Sequence, residues 1–373
     1  MHVGFTLILL LVGSVLLAGC ESPGRATDAA LLLGDVRAGA EDSRLKRRTE
    51  TPERQTVRYE YGDEERVADL YRSGDSARGR LILVHGFTEQ GRRDPRLVEF
   101  AHSMARIGFE VIAPEVPGLT DLSISQDESR VIADTVRHAS DDGAPVALAA
   151  ISFAVGPAML AAMEEDTAEA VDIILAVGPY YDLVDVIRYA STGDDPGLAE
   201  DEDAMQPRPE GRWIILLAQR HRLDDANDRS LLREIGERRL ENPRAEIEDL
   251  ADQLGADGRA LLELVRNEDP EAVDELIAAL PSAIRDDLSA LNLAERDLSP
   301  LRARMILIHG PEDRVIPISH SERLRQALPE GQARLYRAGG LDHVDVSTGF
   351  FDGIQLWRAT RHLLRLADER GRE

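Results

Sequence analysis

The sequence predicts an α/β fold in which helices cover both faces of a mostly parallel, doubly wound sheet. From position 80 onward, short continuous apolar runs alternate with amphipathic segments, a pattern typical of strands buried on both faces. Apolar spacings of three and four residues between the runs indicate helices. There are six such runs, at positions 81–84, 109–113, 145–151, 171–177, 304–308 and 333–338.

Two segments before the first run have a different pattern. TVRYEY and RVADLYR alternate between apolar and polar residues and are separated by four polar residues, 62–65, which predicts a β-hairpin on an antiparallel edge of the sheet. The preceding residues, 20–55, are rich in charged and small polar side chains, and we expect them to form a tether with at most a helical turn at the apolar patch 29–36.

The regular alternation stops after the fourth run, and helical spacing of apolar residues continues from 181 to 298. We therefore expect an α-helical cap inserted into the core, which then consists of residues 56–180 and 299–373. Positions 194–300 hold 13 basic and 28 acidic residues, a net charge of −15. Such a segment is typical of a solvated cap rather than a lipid-inserting lid, and its charge disfavours strongly anionic substrates.

Charge and cysteine content exclude several classes of function. The formal net charge of −25 makes nucleic acid an unfavourable partner. Cys20 is the only cysteine, so no intramolecular disulfide and no cysteine-based metal site is expected. A phosphate-binding P-loop, a dinucleotide fingerprint and a metal-ligand spacing are all missing from the sequence, and we expect no cofactor and no metal.

The first twenty residues, MHVGFTLILLLVGSVLLAGC, predict a signal peptide over 1–19, because the apolar run is short and polar sequence follows it directly. Its end, Leu17-Ala18-Gly19-Cys20, resembles the lipobox of bacterial lipoproteins, which implies lipidation of Cys20 after cleavage. The segment before the apolar run lacks Lys and Arg, and an ordinary signal peptide or a signal anchor is the alternative. Lipidation implies a protein anchored in the bacterial cell envelope, with a mild preference for the outer membrane.

A serine with small neighbours follows the third run. Ser152 comes directly after the predicted strand 145–151 and before a helix-like segment, 155–163. A serine hydroxyl becomes a nucleophile when a base removes its proton, a third group orients that base, and N–H donors receive the oxyanion. A strand–turn–helix context is the one in which such a serine is exposed on a sharp turn. The alternative is an ordinary serine at the end of a strand.

Three segments together resemble the α/β-hydrolase superfamily. The usual G-x-S-x-G of that family is here Ala150-Ile151-Ser152-Phe153-Ala154, with alanine in place of both glycines. LILVHGF at 81–87 resembles its early strand with a His-Gly-x segment, and RMILIHGPEDRVIP at 304–317 resembles the late strand and loop that carry the acid. The resemblance extends over about 57–180 and 299–368 and implies a helix-covered, mostly parallel sheet with a catalytic triad.

The resemblance implies a role for each site residue. Ser152 would be the nucleophile, Asp313 the acid and His343 the base, in the family's chain order. Asp182, after the fourth run, is the alternative acid. The backbone N–H groups of Phe87 and Phe153 would form the oxyanion hole.

Tyrosines and other histidines have less specific roles. Tyr180 and Tyr181 follow a predicted strand and either line the substrate pocket or anchor the first turn of the cap. His85 is expected to be a packed, structural imidazole. The remaining histidines are expected to lie in helices (His102, His138), at a strand end (His309) or at the periphery (His221, His320, His362).

The sequence therefore favours a membrane-anchored serine hydrolase that cleaves a carboxylic ester or thioester through an acyl-serine intermediate. Its expected partners are a small or lipid-like acyl substrate and the membrane that holds the anchor. Acyl transfer and peptide cleavage use the same triad and stay open, as does the oligomeric state. A non-catalytic lipoprotein that keeps the fold for binding or scaffolding is the alternative from another class, favoured by the two alanines beside Ser152.

Overall fold

The computed structural model describes residues 23–74, 77–198, 205–339, 341–342, 345–346 and 350–370. Eight strands form one sheet in the order β1-β2-β4-β3-β5-β6-β7-β8. Their bounds are β1 Glu53–Tyr61, β2 Glu64–Arg72, β3 Gly79–Val84, β4 Phe109–Pro114, β5 Val146–Ile151, β6 Val171–Val177, β7 Arg304–His309 and β8 Ala333–Arg337. A second, two-stranded sheet pairs β9 (Leu341–Asp342) with β10 (Asp345–Val346).

The strand directions agree with the sequence pattern. β3 to β8 pair in parallel, whereas β1 and β2 form an antiparallel hairpin whose second strand pairs antiparallel with β4. All six apolar runs are strands within one or two residues of the predicted bounds. The prediction of a mostly parallel, doubly wound α/β sheet with an antiparallel edge is therefore confirmed.

The helices lie before, between and after these strands. They are α1 Pro23–Ala38, α2 Pro95–Arg106, α3 Pro117–Thr120, α4 Asp127–Ala139, α5 Val155–Ala161, α6 Leu183–Thr192, α7 Glu210–Gln219, α8 Ala226–Glu241, α9 Glu248–Ala251, α10 Ala256–Arg266, α11 Val273–Ala278, α12 Ser282–Leu291, α13 Ser319–Ala327 and α14 Phe350–Arg370. Among the described residues, all regular elements between β6 and β7 are helices. They lie in the segment predicted to be the cap.

Strand side chains alternate between two apolar clusters, one on each face of the sheet. On β5, Leu148 belongs to the cluster that includes α4, α5 and most cap helices, whereas Ala147 and Ala149 belong to the cluster formed with α1, α2 and α14. Because both faces of the strand are covered, nearly every β5 residue is buried and apolar. This double coverage is the reason that continuous apolar runs predicted the strands.

The prediction of a tether over 20–55 is wrong for its described part. Residues 23–38 form helix α1, in which Ala29 and Leu32 are buried against α2 and α14. The side chain of Arg78 pairs with Asp28 on α1 and with Asp368 on α14 and so joins the two helices. The apolar patch at 29–36 packs against a helix near the far end of the chain, a partner that local sequence does not reveal.

Candidate active site

Ser152 lies on a sharp turn between β5 and helix α5. The strand ends at Ile151, a single 3-10 turn covers Ser152–Ala154, and α5 begins at Val155. The φ angle of Ser152 is +57°, in the left-handed region that residues with a Cβ rarely adopt. Holding a side chain there costs roughly 1–3 kcal/mol, and such strain persists only where the surrounding structure imposes it. The strand–turn–helix context predicted for Ser152 is present, with strain located at the serine itself.

The turn is crowded by neighbouring backbone and side chains. Ala150 and Ala154, which replace the usual glycines, are both completely buried in the core cluster. Ala150 pairs with Val84 on β3 and with Ala176 on β6. Both extra methyl groups are therefore accommodated by packing, and the serine keeps its strained conformation between them.

Gly156 is required at this turn, although no sequence pattern marks it. A Cβ atom at this position would lie 1.8 Å from Oη and 2.4 Å from Cζ of Tyr180, distances at which a neighbour must move. Tyr180 has no room to retreat, because it is fully buried and its hydroxyl donates to the carbonyl of Leu291 at 2.9 Å. The close approach of α5 to Tyr180, and with it the position of the turn, depends on this glycine.

Gly156→Ala is expected to lower the free energy of unfolding by about 3 kcal/mol, because overpacking of a rigid core forces side chains and backbone apart. Chemical denaturation of the purified variant measures the change. Gly211→Ala is the matched control, since its Cβ would meet only Ala190 at an ordinary 3.6 Å. Equal stability of the two variants would show that the space beside Tyr180 adapts freely.

The structure brings the two predicted oxyanion-hole residues together. Phe87 follows β3 and Phe153 follows β5, and these strands are parallel neighbours. The two rings stack with centroids 5.4 Å apart and an interplanar angle of 24°. Phe153 is buried and Phe87 is half-buried against the core. An aromatic wall therefore lies beside Ser152 at the carboxyl edge of the sheet, where ligands bind in open α/β sheets.

Tyr180 does not line a substrate pocket, which corrects that prediction. Its ring lies behind Phe153, with centroids 6.0 Å apart, and its hydroxyl joins the core to Leu291 of cap helix α12. Tyr181 is half-buried and faces helix α13: its backbone N–H donates to Nδ1 of His320, and the guanidinium of Arg323 lies 5.5 Å from its ring. Both tyrosines pack where the cap begins, the second of the two roles considered for them.

Asp313 is enclosed by the loop that follows β7. It is 1% exposed, and its Oδ1 accepts hydrogen bonds from the backbone N–H groups of Val315 at 2.8 Å and Ile316 at 3.0 Å. Its other oxygen, Oδ2, lies 3.4 Å from Nε2 of His309. Hydrogen bonds from N–H donors favour the ionised carboxylate, so the loop is suited to holding a buried negative charge.

Asp182, the alternative acid, has a structural role at the start of a helix. It caps helix α6, because its Oδ1 accepts hydrogen bonds from the backbone N–H groups of Val184 at 3.0 Å and Asp185 at 3.4 Å. The same oxygen accepts from Nδ2 of Asn292 at 3.3 Å, and Arg323 lies 3.5 Å from Oδ2. The carboxylate of Asp182 is thus committed to the junction between the core and the cap.

Two buried histidines support the site without being part of the predicted triad. His85 is packed as expected: its Nδ1 contacts the carbonyl of Gly86 at 2.9 Å and its Nε2 accepts from the N–H of Val116 at 3.3 Å, which fixes a neutral imidazole. Burial lowers its pKa. His309 is fully buried, and its ring joins Ser321 Oγ at 2.7 Å to the carbonyl of Ile316 at 2.8 Å. It therefore closes the loop around Asp313.

The prediction that His320 is peripheral is wrong. His320 is fully buried, and its Nδ1 accepts hydrogen bonds from the backbone N–H groups of Tyr181 at 3.3 Å and Asp182 at 3.4 Å. Burial lowers its pKa to about 3. His221 and His362 are also partly enclosed, with hydrogen bonds to Ser123 and Tyr336, and burial lowers the pKa of each to about 4.

His320 is expected to destabilise the protein as the pH falls. Its pKa is about 3 when folded and 6.5 in its ordinary state, so the unfolded chain binds more protons below pH 6.5 and stability declines from there toward pH 3. From pH 7 to 5, wild type should lose about 2 kcal/mol more unfolding free energy than His320→Asn, whose side-chain oxygen accepts the same two N–H groups. Denaturant titrations at both pH values measure this difference, and identical losses would contradict it.

Some predicted residues lie outside the described part of the chain. They are His343, the predicted base, and Cys20 with the predicted signal peptide, residues 1–19. In the sequence, His343 comes between β9 and β10, whose backbones pair antiparallel. Within the described ranges no helix is long and apolar enough to cross a membrane. Over the same residues no group of three or more His, Cys, Asp or Glu side chains is placed to hold a metal ion.

Comparisons of sequence identify no relative: no family model matches the chain, and no curated protein does. Comparison of structures finds many matches. A mutant of the rice cell wall degrading esterase LipA from Xanthomonas oryzae superimposes with a TM-score of 0.52 at 12% identity, covering 82% of this chain and 87% of the esterase.

Two peptidases are also similar in structure. A puromycin-hydrolyzing peptidase from Mycobacterium tuberculosis matches with a TM-score of 0.49 at 13% identity, and an acylaminoacyl peptidase from Pyrococcus horikoshii with 0.43 at 12%. Each match covers 85% of this chain, but the chain spans only 39% and 41% of these two peptidases. The sheet order, the strained serine after β5 and the likeness to the esterase together establish that the chain has the α/β-hydrolase fold.

Proposed function

We propose that the protein is a serine hydrolase that forms an acyl intermediate on Ser152. The observation that carries this proposal is the φ angle of +57° at Ser152, directly after the central strand β5. A non-glycine residue in this conformation costs free energy, and a strained strand-to-helix turn is how α/β hydrolases expose their nucleophile. An ordinary serine at a strand end needs no such strain.

In the proposed reaction, three side chains and two backbone N–H groups each have a separate role. His343 takes the proton from the hydroxyl of Ser152 as the oxygen attacks the substrate carbonyl, and later gives that proton to the leaving group. Asp313 orients His343 and stabilises its protonated ring. The N–H groups of Phe87 and Phe153 receive the negative charge on the carbonyl oxygen. Water then attacks the acyl group by the same route and regenerates Ser152.

An ester or thioester is the proposed substrate class. The stacked rings of Phe87 and Phe153 offer an apolar wall for an acyl group next to the serine. A solved structure that matches over most of both chains is that of an esterase. Esters also have a better leaving group than amides, so a general acid contributes less to their cleavage.

A matched pair of substrates tests the substrate class. We expect the purified full-length protein to hydrolyse p-nitrophenyl butyrate at least about 100-fold faster, in kcat/KM, than the corresponding butyryl p-nitroanilide. Absorbance of the released product measures both reactions, with His343→Ala as the control for the background rate. Comparable rates on the two substrates would assign the protein to the amide-cleaving hydrolases instead.

The anchoring proposed for this enzyme rests on its N-terminal sequence. Cys20 closes a lipobox-like segment, and described structure begins three residues later at helix α1. Lipidation of Cys20 would hold the enzyme firmly to a membrane of the bacterial cell envelope, because two or three acyl chains act together. The outer membrane is the preferred location. The mass of the N-terminal peptide from membrane fractions tests the anchoring: lipid on Cys20 is expected, and an unmodified cysteine would contradict anchoring.

A further inference from the structure

A cleft of about 690 Å³ lies between helices α1 and α14. Its lining residues are all far from Ser152 in the sequence. Part of its lining is apolar and consists of the small side chains of α1 together with Leu31 and Trp357. Ser43, Arg44 and Arg48, from the segment after α1 that we call the rim loop, supply the polar part. The proposed hydrolytic mechanism assigns no task to this cleft.

The cleft is built on a fixed frame. Asp35 on α1 is 1% exposed and accepts hydrogen bonds from the hydroxyls of Ser43 and Ser103, and Lys46 lies 3.8 Å away. These contacts tie the rim loop to α1. On the opposite wall, Nε1 of Trp357 donates to the carbonyl of Ala26 at 3.0 Å. The cavity therefore does not depend on a ligand to hold its walls in place.

Arg44 and Arg48 differ from their neighbours in charge pairing. Both are exposed, and among the described residues neither has a carboxylate partner. Next to them, Arg47 pairs with Asp42, and Lys46 with Asp35 and Glu99. Two uncompensated arginines that line the same cleft as apolar side chains, in a chain of net charge −25, indicate a ligand with an anionic head and an apolar tail. The planar guanidinium group binds phosphate through two parallel hydrogen bonds.

The position of the cleft relates it to the proposed anchor. Residues Ala26 and Thr27 of its lining belong to the first turns of α1, which begins three residues after Cys20. Three residues of any conformation span at most about 10 Å, so a lipid on Cys20 would bring this face close to the bilayer. Tryptophan is favoured at such membrane–water boundaries because its ring is amphipathic.

We propose that this cleft binds one anionic phospholipid of the anchoring membrane, with its phosphate between Arg44 and Arg48 and its first acyl carbons against Trp357. This inference rests on the proposed membrane anchoring. Two kinds of lipid would be within reach of the cleft, and the two arginines favour the one that carries a negative charge. The acyl groups attached at Cys20 carry no phosphate, whereas a membrane phosphatidylglycerol does. The bound headgroup would orient the enzyme on the membrane surface.

Fluorescence of Trp357 tests the proposal on the full-length chain in a Trp213→Phe background, where it is the only tryptophan. Two vesicle preparations contain the same mixture of phosphatidylcholine and phosphatidylglycerol. In the first, bromine atoms, which quench tryptophan fluorescence, are on the acyl chains of phosphatidylcholine. In the second, the same amount of bromine is on the acyl chains of phosphatidylglycerol. We expect bromine on phosphatidylglycerol to quench at least about twofold more strongly, and high salt to reduce this preference.

Arg44→Glu/Arg48→Glu is expected to abolish the preference for brominated phosphatidylglycerol. Arg47→Glu/Arg130→Glu is the control with the same change in charge, because both arginines are exposed, are paired with Asp42 and Asp127, and lie outside the cleft. Circular dichroism checks that all variants are folded. A preference that survives the cleft substitutions, or is lost equally in the control, would overturn the proposal.

Two further results would also overturn it. Equal quenching by both brominated lipids would mean that no anionic head is selected, as when acyl chains on Cys20 fill the cleft. No quenching on vesicles that carry the protein would place Trp357 away from the bilayer. The mass of the N-terminal peptide from the same sample decides separately whether Cys20 is lipidated, so the anchor and the cleft fail in distinguishable ways.

Discussion

Ser152→Ala is expected to lower kcat for ester hydrolysis by about 10⁴-fold or more, because the acyl intermediate has no other oxygen on which to form. The loss should appear in kcat rather than in KM, since the hydroxyl forms a bond only in the reaction itself. Steady-state hydrolysis of p-nitrophenyl butyrate measures it. A variant that keeps a tenth of wild-type activity would contradict the assignment of Ser152.

Ser152→Gly separates chemistry from strain in the same experiment. It lacks the nucleophile as well, but glycine adopts a φ of +57° without the steric cost that alanine keeps. We expect both variants to be inactive and the glycine variant to be at least as stable toward denaturant as the alanine variant. A clearly less stable glycine variant would contradict the strained conformation.

Asp313→Asn is expected to lower kcat by about 10³- to 10⁴-fold with little loss of stability. The amide oxygen of asparagine is still able to accept the hydrogen bonds from Val315 and Ile316, but the negative charge that stabilises a protonated His343 is gone. The same ester assay, together with thermal denaturation, measures both effects.

Asp182→Asn is the matched comparison for the choice of acid. Asparagine caps helices as well as aspartate does, so the start of α6 should be preserved. We expect this variant to keep activity within about threefold of wild type, as for a residue outside the reaction. A large loss at Asp182 combined with a small one at Asp313 would exchange the roles of the two carboxylates.

The sheet was predictable from sequence because double burial leaves a direct pattern. Strands β3 to β7 contribute side chains to the apolar clusters on both faces of the sheet, so each is a mostly apolar run, whereas β8 at the edge of the sheet is mostly exposed or half-buried. The positions of Ser152 and Asp313 after strands were also predictable, since each follows such a run. These positions depend on local sequence alone, whereas the roles of nucleophile and acid are implied by the family resemblance and stay predictions.

What sequence did not reveal depends on partners far away in the chain. Helix α1 is ordered by α14, and the Trp357 to Ala26 hydrogen bond joins residues 331 positions apart. Gly156 matters because Tyr180 occupies the space that a Cβ atom at this position would need. His320, expected at the periphery, is buried because two backbone N–H groups at the start of the cap need an acceptor.

A fluorophosphonate probe, which reacts with activated serine hydroxyl groups, tests whether Ser152 is an activated nucleophile on its strained turn. Intact mass measures the number of labels, and peptide mapping locates the modified residue. We expect one label per chain, on Ser152, that is absent from Ser152→Ala and forms much more slowly in His343→Ala. Folded wild-type protein that does not react, or reacts at another serine, would contradict it and would favour a binding lipoprotein with this fold.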